Sequence, residues 1–531
     1  MKHRSHVLLL RHCVRSTKTQ IKFCDCDGSD SSSLVGEGDP ATPAGSLKLV
    51  NLSDYIDAPM PRWNVPPMWC TEAGLEMIEQ LGSYLLETIV GSNHDSRGDD
   101  TGNRNNIPET KVPRRNLRVQ IVSDTSHRDA DTALALAQGM RDALASTLNG
   151  TILHTSSLDI IQFHHDLFKP EDDRDEGPLC PIEYTDQELR HQIAEQTSKI
   201  DPMTKMGSNT SDLLLFLRKL GGFNSSTVSL VLSMLSLPRD CSCLDYFGMG
   251  LPMELVKEMA EMAFYSRASG MDLPFLPSAT DPEIYQLLQW ADFIRSSERL
   301  NNIRYAKKGV VLVKSILEAI SNRIENSPWT SSRLDELITL TVFAGHDSDI
   351  DAVATALGLT WTLPTPYRKG FLSSPPGSGI LVSTHDDDTS SLAYVYPTFL
   401  TDGNALLQSV PISSTEPYNS IGLSTIDNIR KRLLRTLDLY PAINQCYEKA
   451  PTFVESIDGK QMLRQNTIFI AIGLILNAGL WAIIVCIRRC SCCRQRRTKS
   501  SDNLPPYSEV SPDVPLHASD TPESAIGIEI T

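Results

Sequence analysis

The sequence predicts an α/β fold, a mostly parallel sheet flanked by helices, with a second, mainly α-helical domain inserted and one C-terminal transmembrane helix. Three observations predict it. "HVLLLRHCVRST", with Arg11, His12 and Arg15, and "LTVFAGHDSDIDAVATALGL", with His346 and Asp347, are apolar runs that stop abruptly at charged groups. A buried parallel strand reads this way where its C-terminal end opens into a crevice. "LRVQIVSDTSHRDADTALALAQGM" repeats the form, with a strand over residues 117–122, a polar turn carrying Arg128 and then a helix. The third observation is an uncharged apolar run over residues 467–487.

Taken in order, the first strand leads into an irregular loop over residues 24–66, rich in Gly, Ser, Asp and Pro, and then a helix over about 71–86. A polar stretch at about 91–116 has no apolar period and reads as a surface insertion. These segments make the first part of the core, residues 1–180. Helical patterns dominate residues 181–328, among them "DLLLFLRKL", "MELVKEMAEMAFYSR" and "EIYQLLQWADFIRSSERL", and form the domain expected to cover the crevice. The Met residues of the second segment read as core filling. The core resumes over 329–445 with "ELITLTVFAGHD". Its following helix buries one face, since Ile350, Val353, Ala354 and Leu357 recur at i, i+3, i+4 and i+7. A linker (446–466), the span (467–487) and a tail (488–531) complete the chain. No internal repeat is visible.

Arg11, Arg15, Arg128, His12, His346 and Asp347 would meet at one edge of such a sheet. That set suits a phosphate group. Guanidinium forks bind its oxygens, a neutral imidazole attacks phosphorus and a carboxylic acid protonates the leaving alcohol. A purely structural His12 would leave neighbouring arginines with nothing to neutralise them, which a phosphate resolves. Arg128 also fits a surface arginine in a turn. His346 and Asp347 also suit the cap of the helix that follows, and both roles are compatible. His164 and His165 are given no role.

The segment Arg11-His12-Cys13-Val14-Arg15-Ser16-Thr17 matches the pattern RHGxRxP, and His346-Asp347 an HD dipeptide. With "CTEAGLEMIEQLGSYL", "SDTSHRDADTALALAQGM", "FHHDLFKP", "LGLTWTLP" and "PPGSGILV" in order, the chain resembles the histidine acid phosphatases, the two-domain branch of the histidine phosphatase superfamily. Among these it is similar to membrane-bound, lysosomal-type acid phosphatases and to bacterial phytases and acid phosphatases. The resemblance implies hydrolysis of phosphomonoesters at acid pH through a phosphohistidine. His12 would be the nucleophile and Asp347 the proton donor, starting protonated because the substrate anion raises its pKa. Arg11, Arg15, Arg128 and His346 would bind phosphate. No cofactor and no metal are expected, since the arginines supply the positive charge. Two departures stand out: Cys13 replaces the family glycine and Thr17 the family proline. Cys13 is expected to stay a free thiol that crowds the phosphate loop. Alternatives kept beside this reading are a phytase-like inositol phosphate phosphatase and a catalytically weak phosphatase-fold receptor or surface glycoprotein. A cytosolic inositol-pyrophosphate enzyme is disfavoured by the span.

The chain has 531 residues and a formal net charge of −16. That charge argues against nucleic-acid binding and suits an acidic compartment. The apolar run is long enough to cross a bilayer and is followed by "RRCSCCRQRRTK", which marks the cytoplasmic flank. The catalytic part is therefore expected to be lumenal or extracellular, in lysosome, endosome or at the cell surface. Asn477, mid-span, reads as a tolerated polar residue. N-glycosylation acceptors stand at Asn51, Asn149, Asn209 and Asn224, with none in the tail. Cys13, Cys24, Cys26, Cys70, Cys180, Cys241, Cys243 and Cys446 precede the span as an even set suited to an oxidising compartment. The first residues hold too short an apolar run for a signal peptide, so the start is expected to be internal to a longer precursor. The alternative is an enzyme on the cytoplasmic side, held by its C-terminal helix. "PPYSEV" offers Tyr507 and Val510 to a sorting adaptor, and Cys490, Cys492 and Cys493 suit palmitoylation. A homodimer is left open.

Overall fold

The structure, a computed structural model, describes residues 2–25, 46–55, 59–91, 115–147, 153–155, 161–170, 251–273, 276, 279–299, 303–321, 336–364, 373–384, 389–399, 405–415 and 418–450. In chain order these give β1 (Lys2–Arg11), β2 (Gln20–Asp25), β3 (Ser46–Asn51), α1 (Glu72–Gly91), β4 (Arg115–Ser123), α2 (His127–Thr147), β5 (Leu153–Thr155), β6 (Ile161–Phe163) and α3 (His165–Phe168). Then follow α4 (Leu251–Ala268), α5 (Asp281–Arg299), α6 (Ile303–Ser321), β7 (Glu336–Gly345), α7 (Asp347–Leu357) and β8 (Leu359–Thr360). Last come β9 (Gly379–Thr384), β10 (Ser390–Phe399), β11 (Ala405–Pro411), β12 (Ser413–Ser414), α8 (Ile426–Leu439) and α9 (Asn444–Lys449). Residues Met1–Ser456 form one compact unit.

The main sheet runs β11-β10-β9-β1-β7-β4-β5, with β6 also paired to β4. Its centre is β1, β7 and β4, and their sequences explain why. Val7, Leu8, Leu9 and Leu10 in β1 and Val342, Phe343 and Ala344 in β7 are all buried, so both faces of these strands are covered, as continuous apolar runs require. Each large side chain so buried contributes about 1.5–3 kcal/mol.

The sheet is parallel over its centre, as expected, and antiparallel on one side. β1–β7, β7–β4, β4–β5 and β4–β6 are parallel, whereas β1–β9, β9–β10 and β10–β11 are antiparallel. The reason lies in the connections. β9, β10 and β11 follow one another closely in the chain, and short links favour antiparallel neighbours, whereas parallel pairs need crossovers.

α1 continues to Gly91, beyond residue 86, because Ile89 extends the buried stripe of Leu81, Leu85 and Leu86 that packs on α2. The helices expected from "MELVKEMAEMAFYSR" and "EIYQLLQWADFIRSSERL" are present as α4 and α5 and pack together, while α6 lies against α7 and β1. Among the described residues no helix is long and apolar enough to cross a membrane. Most of the polar insertion, "DLLLFLRKL", Asn149, Asn209, Asn224, Cys26, Cys180, Cys241, Cys243, the linker from residue 451, the 467–487 span and the tail with Cys490, Cys492, Cys493, Tyr507 and Val510 lie outside the described residues. Asn51 is exposed at the end of β3.

Candidate active site

The parallel register brings the predicted residues together. Arg11, the last residue of β1, is level with Gly345 of β7, and Ser123 at the end of β4 is level with Ala344. The residues after these strands therefore emerge side by side. The His12 backbone N–H donates to the Gly345 carbonyl (2.8 Å) and that of Asp124 to the Ala344 carbonyl (3.2 Å). Gly345 is closely packed, since a β-carbon there would clash with Asp349 Oδ2 and the Phe168 ring. Only glycine fits there.

His12 is buried, and its ring meets that of His346 edge-on at 5.5 Å. Its Nδ1 lies 2.9 Å from the Cys13 carbonyl oxygen. A carbonyl only accepts, so Nδ1 carries the hydrogen and Nε2 keeps its lone pair. Burial, with Arg128, Arg11, His346 and Arg15 around it, holds His12 well below the usual imidazole range. The ring is thus a neutral imidazole at acid pH.

All three predicted arginines reach the same place. Arg11 donates to the Tyr265 hydroxyl (2.8 Å) and the Ser374 carbonyl, and lies 3.6 Å from Asp347 and 3.8 Å from Glu261. Arg15 donates to Glu261 Oε2 (2.9 Å) and packs over the Tyr265 ring. Arg128, in the first turn of α2, has Nη2 3.3 Å from His346 Nδ1. His346 caps α7, as the sequence allowed; its backbone N–H donates to Asp349 Oδ2 (2.6 Å), and Lys308 pairs with the same acid (2.5 Å). Its Nε2 lies 3.2 Å from Asp129 and 3.4 Å from Asp124.

Asp347 differs from expectation. Burial alone would raise its pKa, but Arg299 at 3.2 Å, then Arg11, Arg295 and His12, outweigh it and hold the carboxyl well below the ordinary range. The expectation of a protonated Asp347 rested on the substrate anion and did not include Arg299. Arg299 and Arg295 both pair with Asp351 on α7, so α5 is held against the helix that carries the acid.

Cys13 also differs. It is bonded to Cys70, with 5.8 Å between their α-carbons, and is no free thiol. Cys13 follows the end of β1, and its side chain points to the segment leading into α1, where the register of Arg15 with Cys70 supplies the partner. Cys446 is also disulfide-bonded.

Sequence reasoning missed the acids that answer the arginines. Glu261 bridges Arg11 and Arg15. Burial would raise it, but Arg15 and Arg11 prevail and keep it ionised. The signal was present, since Glu258, Glu261 and Tyr265 recur at i, i+3 and i+7 on the buried face of α4, where acids are rare unless paired. Asp124 and Asp129 brace His346. Burial pushes Asp129 up to about 6, while the bond to His346 and the charge of Lys169 overcome burial at Asp124 and lower it. Among the described residues, Asp124, Asp129 and His346 also bring three potential metal-ligand atoms within 4.8 Å. Lys169 at 3.4 Å from Asp124 and Arg128 beside His346 already supply positive charge there. His164 is half-buried, and its backbone N–H donates to Ser123.

No family model and no curated protein matches the chain. Among solved structures it is similar to the apo phytase of Hafnia alvei, at 17% identity and a TM-score of 0.48, covering 83% of this chain and 97% of that one. The phytase of Citrobacter braakii gives 16% identity, a TM-score of 0.49 and coverage of 83% and 99%. The Bifidobacterium longum multiple inositol polyphosphate phosphatase, solved with inositol hexasulfate, gives 12%, 0.37, and 64% and 75%. These are proteins of the kind the sequence motifs resemble.

Because Glu261 occupies two of the three arginines, an incoming phosphate has to displace it. Glu261→Gln should tighten binding of inorganic phosphate on the order of tenfold, about 1.4 kcal/mol, while lowering thermal stability because Arg11 and Arg15 lose their buried counter-charge. Isothermal titration and a melting curve check both; weaker phosphate binding in the folded variant would count against competition.

Proposed function

We propose that the protein is a phosphomonoesterase that works through a phosphohistidine at acid pH. The observation that carries this reading is His12, a buried neutral imidazole with its Nδ1 committed to the Cys13 carbonyl, set among Arg11, Arg15, Arg128 and His346 with Asp347 alongside. Arg11, Arg15 and Arg128 take the phosphate oxygens and stabilise the charge that spreads over them in the transition state. The His12 Nε2 lone pair forms the bond to phosphorus as the P–O ester bond breaks, and the leaving oxygen takes its proton from the Asp347 carboxyl group. Asp347, now a carboxylate, takes a proton from water as that water attacks phosphorus. The N–P bond breaks, its electrons return to Nε2, and inorganic phosphate leaves.

The state of His12 suits acid operation, whereas Asp347 has to gain a proton for it. His12 must be neutral, and its lowered pKa keeps it so below the ordinary imidazole range. Asp347 must carry a proton, and Arg299 and Arg11 resist this. A phosphate that draws Arg11 to its own oxygens relieves part of that resistance. The Asp347 requirement favours low pH, and the lowered pKa of His12 lets the nucleophile tolerate it.

The sequence motifs favour a general phosphomonoesterase, with phytate one substrate to test beside sugar and aryl phosphates. The membrane reading rests on the sequence alone: the 467–487 run and its basic flank support a single span with the catalytic unit lumenal or extracellular, and Tyr507 with Val510 supports endosomal or lysosomal sorting.

His12→Ala should abolish turnover of every phosphomonoester and remove the acid-quenched phosphoenzyme. Asp347→Asn should lose far more kcat/KM on alkyl phosphates than on an activated aryl phosphate, whose phenolate leaves unaided. Equal losses on both substrates would remove Asp347 from its role. Arg299→Gln removes a cation that favours the carboxylate, so the Asp347 pKa rises and the proton persists to higher pH. The basic limb of the kcat/KM profile should shift upward in pH; a downward shift would contradict the assignment. In sealed vesicles bearing the full chain, protease added outside should digest the tail and spare the catalytic unit. The reverse pattern would overturn the topology.

A further inference from the structure

The residue beside the nucleophile is tied by both of its backbone groups as well as by its side chain. The Cys13 carbonyl accepts from His12 Nδ1 (2.9 Å), and the Cys13 N–H donates to Thr132 Oγ1 (3.0 Å), whose hydroxyl in turn donates to the carbonyl of Arg128 (2.6 Å). Its partner belongs to a segment that touches both arginine loops. Met68, at a left-handed φ of 70° that a bulky residue rarely adopts, places Sδ 3.0 Å from Arg15 Nη1. Trp69 stacks on His127 at 4.9 Å and accepts the Ser16 N–H through its carbonyl (2.8 Å). Cys70 pairs with Arg15 across a β-bridge, and its sulfur lies 3.4 Å from the Arg128 carbonyl oxygen. The next turn presses on the same loop: the Thr71 N–H donates to Val14 O (3.0 Å), and a β-carbon at Gly74 would lie 2.2 Å from that oxygen.

We infer that the Cys13–Cys70 disulfide is a positioning element of the phosphate site, clamping the His12–Arg15 loop against the Arg128 turn, and that a dithiol reductant disables the site by opening it. The inference rests on the proposed phosphomonoesterase reading. The loop holds no proline at 17, so composition does not fix that turn; the bond between residues 13 and 70 supplies a constraint instead. In the exchange, a dithiol thiolate attacks one sulfur of the bond to give a mixed disulfide, and its second thiol then releases the protein. The dithiol ends as a cyclic disulfide, and Cys13 and Cys70 end as thiols, having gained two electrons and two protons. Both cysteines are buried, so reduction requires the loop to open. A phosphate that holds the loop closed should slow reduction, and if reduction weakens phosphate binding, bound phosphate shifts the thiol–disulfide equilibrium toward the disulfide by the same factor.

The test uses the full chain, oxidised, reduced with a dithiol, and reduced then reoxidised, with the state of Cys13 and Cys70 followed by alkylation and peptide mass spectrometry. Readouts are inorganic phosphate affinity by titration, and kcat and KM for an aryl phosphate, all well below the melting temperature. Reduction should weaken phosphate binding and lower kcat/KM by roughly 10- to 100-fold, the cost of misplacing site groups by about 1 Å. Reoxidation should restore both, and phosphate should slow the reduction. The double variant Cys13→Ser, Cys70→Ser should match the reduced protein and not respond to dithiol; a further loss with dithiol would trace the effect to other disulfides and overturn the inference. Should that variant fail to fold, the reduction and reoxidation of the natural chain still decide. Unchanged phosphate affinity in the reduced, folded protein, or free thiols at Cys13 and Cys70 in active protein, would overturn the inference alone. An oxidised protein that binds no phosphate would overturn the proposed function and the inference together.

Discussion

Arg11, Arg15 and Arg128 bring three like charges to one point at the ends of β1 and β4, two of them almost wholly out of contact with solvent. Removing an ion from water costs several kcal/mol even after relaxation, and like charges add to this. The neighbouring elements provide the compensation. α4 brings Glu261 to Arg11 and Arg15, α7 begins with Asp347 beside Arg11, and α5 adds Arg299 and Arg295, which Asp351 neutralises. The helices over the sheet edge therefore close a circuit of alternating charge that also orders the reacting groups.

The same circuit sorts the titratable groups into roles. The imidazole of His12 sits among cations and stays neutral, and Asp347 stays ionised because α5 reaches it. His346 lies between Arg128 on one side and two acids on the other. Two histidines with ring centroids 5.5 Å apart thus face different electrostatic surroundings.

The parallel half of the sheet is legible in the sequence because its strands are buried on both faces, and a continuous apolar run that ends at Arg11-His12 or His346-Asp347 leaves little choice of register. Arg128 is legible for the same reason. β9, β10 and β11 are less so, since their antiparallel arrangement depends on which strand they join. Glu261, Tyr265 and Arg299 sit on helices whose rotation a motif does not specify, although the acids on the buried face of α4 were a usable sign. The Cys13–Cys70 bond escapes the sequence because an even set of cysteines allows many pairings. Reading Cys13 as a replaced glycine directed attention to its bulk when its partner mattered more.

β1 lies between β7 and β9. It spans Lys2–Arg11, whereas those neighbours begin at Glu336 and Gly379. During synthesis at about 5–20 residues per second, this strand waits tens of seconds before either of them exists. For that time Val7, Leu8, Leu9 and Leu10 form an unpaired apolar edge, a hazard for misassociation. Those four residues have to stay clear of other chains until then, and the cluster at the strand ends is complete only once residues 336–384 have been made.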